Sequence, residues 1–341
     1  MAIKMLVFDY RDSEKEFFGT QELENFEITF YNESLNEEVV EELPKDILDS
    51  ASVISVFVNS EVSENVINTF KNLRIISTRS TSVEHINLRA AEEKNIAVIN
   101  VEGYGAVPVA QYTFGLLIAL VRHICAACHS VSYGDNIFTN FVGRDLSTLT
   151  LGVIGTGSIG VSVCNIAKSF GMKILAYDIV EKQEVENNYG ITYVGLDTLL
   201  KKSDVVTLHL PYTDKSFNMI GLDELKLMKK TAYLINTSSA KIVNMEDLYR
   251  ALKDNLISGA ALDIVMCEDF NFKCANLSKD LQNGLTCLKE TEIINVLSKM
   301  PNVIITPHIA YNTQEAINYI LKVTFISIIE CVKGGDLHKI S

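Results

Sequence analysis

Short runs of apolar, largely β-branched residues alternate along this chain with stretches in which apolar residues recur at helical spacing. Near the N-terminus the runs IKMLVFDY, VISVFVN, LRIISTR and IAVINV predict buried strands, and residues 61–71 and 88–94 predict helices between them. From Leu151 the pattern restarts with LGVIG, KILAYD, VVTLHL, AYLINT, GAALDI and NVIITPH. Strands that alternate with helices over this length predict parallel sheets covered on both faces, so the two series predict two α/β domains.

Two longer helical patterns frame the second series. Residues 107–130 predict a single apolar helix long enough to cross between domains, and residues 311–333 predict a helix after the last strand. We therefore place one domain at 103–308 and the other at 1–102 plus 309–341. The 341 residues exceed what one hydrophobic core usually holds, and 48% hydrophobic residues are enough to fill two cores.

Charge and the length of the apolar runs exclude two classes of partner. The formal net charge of −13 repels phosphate backbones, so we expect no nucleic-acid partner. The longest apolar run, residues 112–121, is shorter than the roughly 18 to 20 residues of a membrane span, so we expect no membrane partner. The 7 scattered cysteines, and acidic residues directly after the first strand in place of a signal peptide, predict reduced thiols and a cytoplasmic protein.

The motif with the clearest chemistry is the glycine loop at residues 155–160. It consists of Gly155, Thr156, Gly157, Ser158, Ile159 and Gly160. A predicted strand precedes it and a predicted helix follows it, which is the context of a dinucleotide-binding loop. The first glycine makes a tight turn, the second lets the backbone approach a pyrophosphate, and the third allows close helix–strand packing. The helix N-terminus would face the phosphates with free N–H groups. The alternative is a glycine loop that serves only as a packing turn.

Asp178 ends the next predicted strand, where a carboxylate accepts hydrogen bonds from ribose hydroxyls and repels a 2′-phosphate. No arginine follows it nearby, so the sequence predicts NAD rather than NADP as the cofactor. The carboxyl ends of the later strands should line the same crevice. The other residues of the predicted cofactor site are therefore His209, Pro211, Asn236, Thr237, Ser238 and Asp263.

The segments GVIGTGSIG, LAYD, SDVVTLHLP, AYLINT, SGAALD and PNVIITPHIAY occur in the order found in NAD-dependent D-2-hydroxyacid dehydrogenases. The chain resembles this family over essentially its whole length. IISTRS, HINLRAAE and MPNVIITPHIAYNTQEA point to the D-lactate dehydrogenase branch, including the vancomycin-resistance enzymes. The resemblance implies an α/β fold in which a Rossmann-like cofactor domain is inserted into a flavodoxin-like substrate domain. It also implies a homodimer built on the cofactor domains and a small-molecule substrate.

The resemblance also implies an acid–base pair. His308, in the sequence T-P-H, would protonate a keto oxygen as hydride arrives and remove the proton in reverse, which suits a side chain that titrates near neutrality. Glu268, five residues after Asp263, would orient the imidazole and favour its protonated form. Two alternatives stay open, a backbone-capping histidine for His308 and a solvated loop carboxylate for Glu268. The stretch from Glu268 to His308 is longer than in the lactate enzymes, which predicts an insertion around residues 273–292.

The substrate side is where the chain departs from the family. The resemblance assigns Tyr104, Ser82, Val83 and Ser239 to this side. Ser82 replaces a glycine, so its Cβ would obstruct or reshape the backbone cradle for the substrate carboxylate. Ser239 replaces an arginine whose planar fork binds that carboxylate and the keto oxygen. Lys241 could supply a substitute cation, and the alternative is an exposed loop lysine.

These departures leave two functions open. The first is hydride transfer between NAD(H) and a 2-keto or 2-hydroxy acid, with altered substrate recognition. The second is an NAD(H)-binding regulatory or interaction protein that has lost turnover.

One further motif, Cys125 to His129, has the spacing of a covalent c-type haem site, C-A-A-C-H. Haem attachment needs export, and we expect no signal peptide in this chain. We therefore expect buried cysteines on a packed helix, and no haem or metal.

Overall fold

The computed structural model describes residues 2–11, 14, 17, 25–132, 141–265 and 281–340, and the side chains of all of these except 281–287. The chain divides into two compact units. Unit 1 comprises Met1–Tyr104 and Asn312–Ser341, and unit 2 comprises Gly105–Tyr311. Each unit is built on one sheet in which all strand pairs are parallel, as the hydrophobic pattern predicts.

Unit 1 has a five-stranded sheet flanked by short helices. Its strands are β1 (Ile3–Val7), β2 (Phe26–Phe30), β3 (Val53–Val56), β4 (Ile75–Thr78) and β5 (Ala97–Ile99). Its helices are α1 (Glu37–Glu42), α2 (Lys45–Ser50), α3 (Glu64–Thr69), α4 (Leu88–Glu93) and, after unit 2, α13 (Gln314–Val332). The strand order β2-β1-β3-β4-β5 is the flavodoxin-like order. Every residue of β3 and β4 is buried, as in a sheet covered on both faces.

Unit 2 has a seven-stranded sheet. Its strands are β6 (Thr150–Ile154), β7 (Lys173–Tyr177), β8 (Ile191–Tyr193), β9 (Val205–Leu208), β10 (Tyr233–Asn236), β11 (Gly259–Leu262) and β12 (Val303–Ile305). Its helices are α5 (Ala106–Val121), α6 (Ile124–Ser132), α7 (Ser158–Ser169), α8 (Gln183–Tyr189), α9 (Leu196–Lys202), α10 (Leu222–Leu227), α11 (Met245–Lys253) and α12 (Leu281–Leu297). The order β12-β11-β10-β9-β6-β7-β8 is that of a dinucleotide-binding sheet with one added strand, and the chain reverses direction across the sheet between β6 and β9.

Helix boundaries follow the capping residues. The helix predicted at 61–71 begins at Glu64, because the Ser63 hydroxyl accepts the Val66 N–H and so caps its N-terminus. The helix predicted at 311–333 begins at Gln314, after Thr313 caps it through the Ala316 N–H. The β2 and β8 strands have no counterpart among the predicted strands.

The prediction of one helix over residues 107–130 is wrong. α5 and α6 are separate helices whose axes bend by 61°. His123 lies between them in the left-handed region, with φ of 56°, and this conformation interrupts the helical hydrogen bonding. No single helix in the described ranges is long and apolar enough to cross a membrane, although the bent pair passes that test by length and composition.

The expectation of buried cysteines at 125 and 128 is also wrong. Both thiols are exposed, and α6 has no buried residue at all. The motif lies on the second helix, beyond the break, and therefore outside the apolar α5 whose inner face packs in the core. Within the described residues, no group of His, Cys, Asp and Glu has the arrangement of a metal site.

Candidate functional site

The glycine loop connects β6 to α7 in a conformation that two of its glycines make possible. Gly155 has φ of 92°, and a Cβ on it would overlap the His209 carbonyl. A Cβ on Gly160 would overlap the Gly155 carbonyl. At Gly157, in contrast, a Cβ would meet no atom within 4 Å, so the backbone there faces open space. The first and third glycines are therefore required by packing, and the second leaves room for a ligand.

The N-terminus of α7 opens onto this space. Gly157 is its N-cap residue, and no side chain caps the first turn. The first N–H groups of a helix have no intrahelical acceptor, and they carry partial positive charge. A pyrophosphate fits this arrangement of open backbone and uncapped N–H groups.

Asp178 follows β7 and is bound to the same loop. Its Oδ2 accepts hydrogen bonds from the Thr156 N–H (2.6 Å) and from the Thr156 hydroxyl (2.8 Å), while its Oδ1 accepts the Val180 N–H (3.1 Å). Burial raises the pKa of Asp178, but these donors outweigh burial and the pKa is lowered overall. Asp178 is therefore an ionised acceptor beside the loop, as a ribose-binding carboxylate must be.

A matched pair of glycine variants separates the ligand-binding role of the second glycine from the packing role of the third. We expect Gly157→Ala to keep its fold, because the new Cβ meets no atom within 4 Å. It should bind NADH about tenfold more weakly, because the methyl group fills the space through which the backbone approaches the pyrophosphate. Gly160→Ala should lower the melting temperature as well, because its Cβ overlaps backbone. NADH fluorescence titration and thermal denaturation measure both effects. Tight NADH binding by Gly157→Ala would contradict the placement of a pyrophosphate here.

Strand β9 pairs with β6 and ends close to the glycine loop. His209 is buried, its Nε2 lies 2.8 Å from the Thr207 hydroxyl, and its Nδ1 has no hydrogen-bond partner among the described residues. Burial lowers the pKa of His209 to about 3, so the imidazole is neutral. Pro211 is exposed, and its carbonyl accepts the Ser216 hydroxyl at 2.9 Å. The contact of either residue with a cofactor stays a prediction.

The residues that follow β10 hold their own loop together. The Asn236 Oδ1 accepts both the N–H and the hydroxyl of Ser238 at 3.0 Å, and the Asn236 Nδ2 donates to the Ser239 carbonyl at 2.8 Å. The Thr237 hydroxyl lies 3.1 Å from that of Thr113 on α5. Asn236 and Thr237 therefore shape the loop from within, and direct cofactor contacts by residues 236–238 stay predictions.

Asp263, at the end of β11, holds the loop that carries His308. Its carboxylate accepts the Thr306 hydroxyl at 2.6 Å, the Ile309 N–H at 3.1 Å and the Ala310 N–H at 2.8 Å. Its backbone carbonyl accepts the His308 N–H at 2.7 Å. Burial raises the pKa of Asp263 overall, although these donors and His308 oppose it. We call this arrangement, formed by Asp263 with residues 306–310, the Asp263 clamp.

His308 is half-buried at the centre of the clamp. Its φ is 53°, a left-handed conformation that is uncommon for residues other than glycine, and the hydrogen bonds of the clamp hold the backbone on both sides of it. Its ring meets Tyr311 edge-on, with 6.3 Å between centroids. Sequence reasoning missed the role of Thr306, whose hydroxyl donates to the Asp263 carboxylate. The only available signal was the position of Thr306 in the T-P-H motif.

Two residues that the sequence analysis considered for the substrate side follow the Asn236 loop in unit 2. Ser239 is half-buried with an extended backbone (φ −150°), which any residue can adopt. The Lys241 ammonium lies 4.5 Å from the centre of the Tyr212 ring, a cation–π contact. Lys241 is half-buried, in contrast to the exposed loop lysine of the alternative interpretation. Glu268 lies outside the described residues.

The predicted substrate residues of unit 1 follow β4 and β5. Ser82 is exposed, its hydroxyl accepts the Glu84 N–H at 3.4 Å, and its φ is not positive, so this loop does not need a glycine for its backbone conformation. The Val83 carbonyl accepts the Ile86 N–H at 3.0 Å, which closes the turn. Tyr104 is half-buried at the end of the first segment of the unit. Their contact with a substrate stays a prediction.

Comparison with known proteins gives a consistent result. Residues 114–310 match the model of the NAD-binding domain of the D-isomer specific 2-hydroxyacid dehydrogenases. An aromatic 2-oxoacid reductase of Clostridium sporogenes is 33% identical over 280 residues, which cover 81% of this chain and 82% of the relative. A D-specific alpha-keto acid dehydrogenase of Enterococcus faecium is 37% identical over 266 residues, covering 77% and 78%. A D-lactate dehydrogenase from Aquifex aeolicus, solved with NAD and lactic acid, superposes with a TM-score of 0.82 at 33% identity, covering 97% and 96%.

Proposed function

Because the chain belongs to the D-isomer-specific 2-hydroxyacid dehydrogenases, which are NAD-dependent oxidoreductases, we propose that it interconverts a 2-keto and a 2-hydroxy acid with altered substrate recognition. One contrast carries the proposal. The glycine loop and the Asp263 clamp around His308 are complete, whereas Ser239 stands where the family has its arginine.

The residues that would hold NAD are the open backbone at Gly157, the uncapped N-terminus of α7 and the Asp178 carboxylate. When bound, NAD(H) supplies or accepts the hydride. The uncapped N–H groups neutralise phosphate charge, and the carboxylate accepts the ribose hydroxyls. The neutral His209 adds no charge at the end of the neighbouring strand.

His308 carries the proton. In the reducing direction its imidazolium donates a proton to the keto oxygen, and in the oxidising direction the neutral ring removes one from the hydroxyl. The Asp263 clamp holds the backbone of His308, so the ring is oriented before a substrate arrives. Glu268 is the proposed partner of the imidazole.

The substrate side has lost its strongest donor. An arginine at 239 would offer a planar, permanently charged fork, whereas Ser239 offers one neutral hydroxyl. Loss of one positioned donor to developing oxyanion charge typically costs about 10²- to 10³-fold in turnover. Ser82, Val83 and Tyr104 are the remaining proposed substrate residues. The activities named for the relatives, on aromatic 2-oxoacids and on alpha-keto acids, support 2-keto acids as the substrate class.

The same serine supports a second candidate function, an NAD(H)-binding regulatory or interaction protein without turnover. Nothing about NAD binding requires an arginine at 239. A chain that kept the cofactor and lost the reaction would therefore preserve the glycine loop and Asp178, as this chain does.

One assay distinguishes the two functions. NADH oxidation is followed by the loss of NADH absorbance against small, branched and aromatic 2-keto acids, while NADH binding is titrated on the same preparation. We expect tight NADH binding and slow but saturable turnover on at least one acid. Tight binding with no turnover on any acid would support the second function, and no NADH binding would contradict both.

We also propose that the family's homodimer forms through unit 2. Ile124, Val131 and Val142 are exposed apolar side chains in and beyond α6, and a partner would remove them from water. Light scattering would measure the mass of two chains if this is correct, and that of one chain if it is not.

A further inference from the structure

A tyrosine outside the known machinery connects to the ribose-binding carboxylate. Tyr193 is the last residue of β8, and its hydroxyl lies 2.9 Å from that of Thr156. The single hydroxyl proton of Thr156 is donated to Asp178 at 2.8 Å, because the carboxylate is ionised and can only accept. The Tyr193 hydroxyl must therefore be the donor to Thr156. The bonds run in one direction, from Tyr193 through Thr156 to Asp178.

We propose that Tyr193 is a positioning residue that holds the Asp178 carboxylate, through Thr156, in the orientation that accepts the 2′-hydroxyl of the adenosine ribose. Tyr193 thereby sets how strongly the site prefers a free 2′-hydroxyl. The inference rests on the ribose role of Asp178 in the proposed function.

The geometry explains why one distant hydroxyl matters. Thr156 is fully buried, so water cannot replace a lost partner of its hydroxyl. With Tyr193 in place, Thr156 directs both its N–H and its hydroxyl at the same carboxylate oxygen, Oδ2 of Asp178. The Val180 N–H occupies one position on Oδ1, which leaves Oδ1 the capacity to accept a further hydrogen bond from a ligand hydroxyl. Donation from Tyr193 also polarises the Thr156 hydroxyl and strengthens its bond to Asp178.

Tyr193 is itself anchored independently of this bond. Its N–H donates to the Glu186 carboxylate at 3.2 Å, and its ring packs against the hydrophobic cluster between the sheet and α7. Tyr193→Phe therefore keeps the ring and the backbone contacts and removes only the hydroxyl.

Tyr189, at the end of α8, provides a matched control. It is a half-buried tyrosine that packs against the same hydrophobic cluster, and its hydroxyl has no hydrogen bond within the described residues. Tyr189→Phe removes the same atom from the same core without touching Thr156.

The experiment compares two ligands, NADH and its analogue with 2′-deoxyadenosine, by fluorescence titration of the full chain. We expect Tyr193→Phe to raise the Kd for NADH about tenfold. The Kd for the 2′-deoxy analogue should change by less than about twofold, since that ligand lacks the hydroxyl that the positioned carboxylate accepts. Tyr189→Phe should change neither Kd. In a Thr156→Val background, Tyr193→Phe should have no further effect, because the connection is already broken.

Each other outcome overturns the proposal in a recognisable way. If Tyr193→Phe weakens both ligands equally, Tyr193 acts only by packing. If it weakens neither, the connection carries no ligand preference. A wild-type chain that binds NADH and the analogue equally would overturn the ribose role of Asp178, and the inference with it. Wild-type preference that persists unchanged in Tyr193→Phe overturns the inference alone.

Discussion

Replacing His308 with asparagine should lower kcat on the best 2-keto acid by about 10²- to 10⁴-fold, the usual contribution of a positioned acid–base group. NADH should bind with unchanged affinity, because no part of the glycine loop or of Asp178 is altered. Asparagine cannot exchange a proton in the physiological range, so the pH dependence of the residual rate should also lose the limb that belongs to His308. Steady-state kinetics between about pH 5 and 9 measure both effects.

Asparagine suits this test better than alanine because of the backbone at 308. With φ of 53°, the position is in the left-handed region, which asparagine adopts at lower cost than alanine. His308→Ala should also abolish turnover, but part of its effect would come from strain in the Asp263 clamp. The matched control is His123→Asn, since His123 has nearly the same φ, 56°, at the break between α5 and α6. It should leave kcat unchanged.

A folded His308→Asn variant with the kinetics of the wild type would contradict the acid–base assignment. The alternative, a histidine that only caps backbone at a strand end, predicts lower stability without selective loss of kcat. A melting curve beside the kinetics therefore separates the two interpretations.

Replacing Ser239 with arginine should raise kcat/KM for pyruvate-like acids by about 10²- to 10³-fold, the reverse of losing one positioned donor. The backbone of the loop at residue 239 can accept an arginine without rearrangement. Asn236 still closes it through Ser238 and the Ser239 carbonyl, and the extended backbone of Ser239 accepts any residue. Arginine would restore a bidentate fork for the substrate carboxylate.

Two further substitutions at position 239 test whether the gain in kcat/KM is specific to the arginine side chain. Ser239→Lys adds the charge without the planar fork, so its gain should be smaller than that of arginine. Ser239→Leu adds bulk without charge and should give no gain. Initial rates on pyruvate and on an aromatic 2-keto acid compare all variants. No gain from arginine, with NADH binding intact, would show that the pocket has diverged beyond position 239.

The sequence predicted those features of the fold and of the site that depend on the order of residues within a short segment. The alternation of apolar runs gave both parallel sheets, and the glycine spacing placed the loop between β6 and α7. Edge strands were missed for a physical reason. β2 is mostly exposed and β8 has only three residues, so neither forms a buried apolar run. Because β8 was missed, so was Tyr193 at its carboxyl end, although that is the edge where ligand-binding side chains collect.

Other misses concern contacts that no local pattern encodes. The break at His123 has neither proline nor glycine to signal it, and without the break the cysteines of α6 were expected to be buried. Asp263 was predicted to bind the cofactor at the carboxyl end of its strand, but its described hydrogen bonds go to the loop that carries His308. Thr306 lies 43 residues further along the chain than Asp263, and only the fold brings the two together.

The Asp263 clamp also bears on how this chain could change in length during evolution. The stretch between Asp263 and Thr306 starts and ends on neighbouring strands, with Leu262 paired to Ile305, and the clamp joins its two ends. The insertion expected around 273–292 falls inside that stretch. Residues 281–292 of it lie in α12, and residues 273–280 lie outside the described residues. The entropic cost of closing a loop grows slowly with its length, so residues added between two ends that the clamp already joins cost little in closure entropy. Lineages could therefore lengthen or shorten this segment while His308 stays where it is.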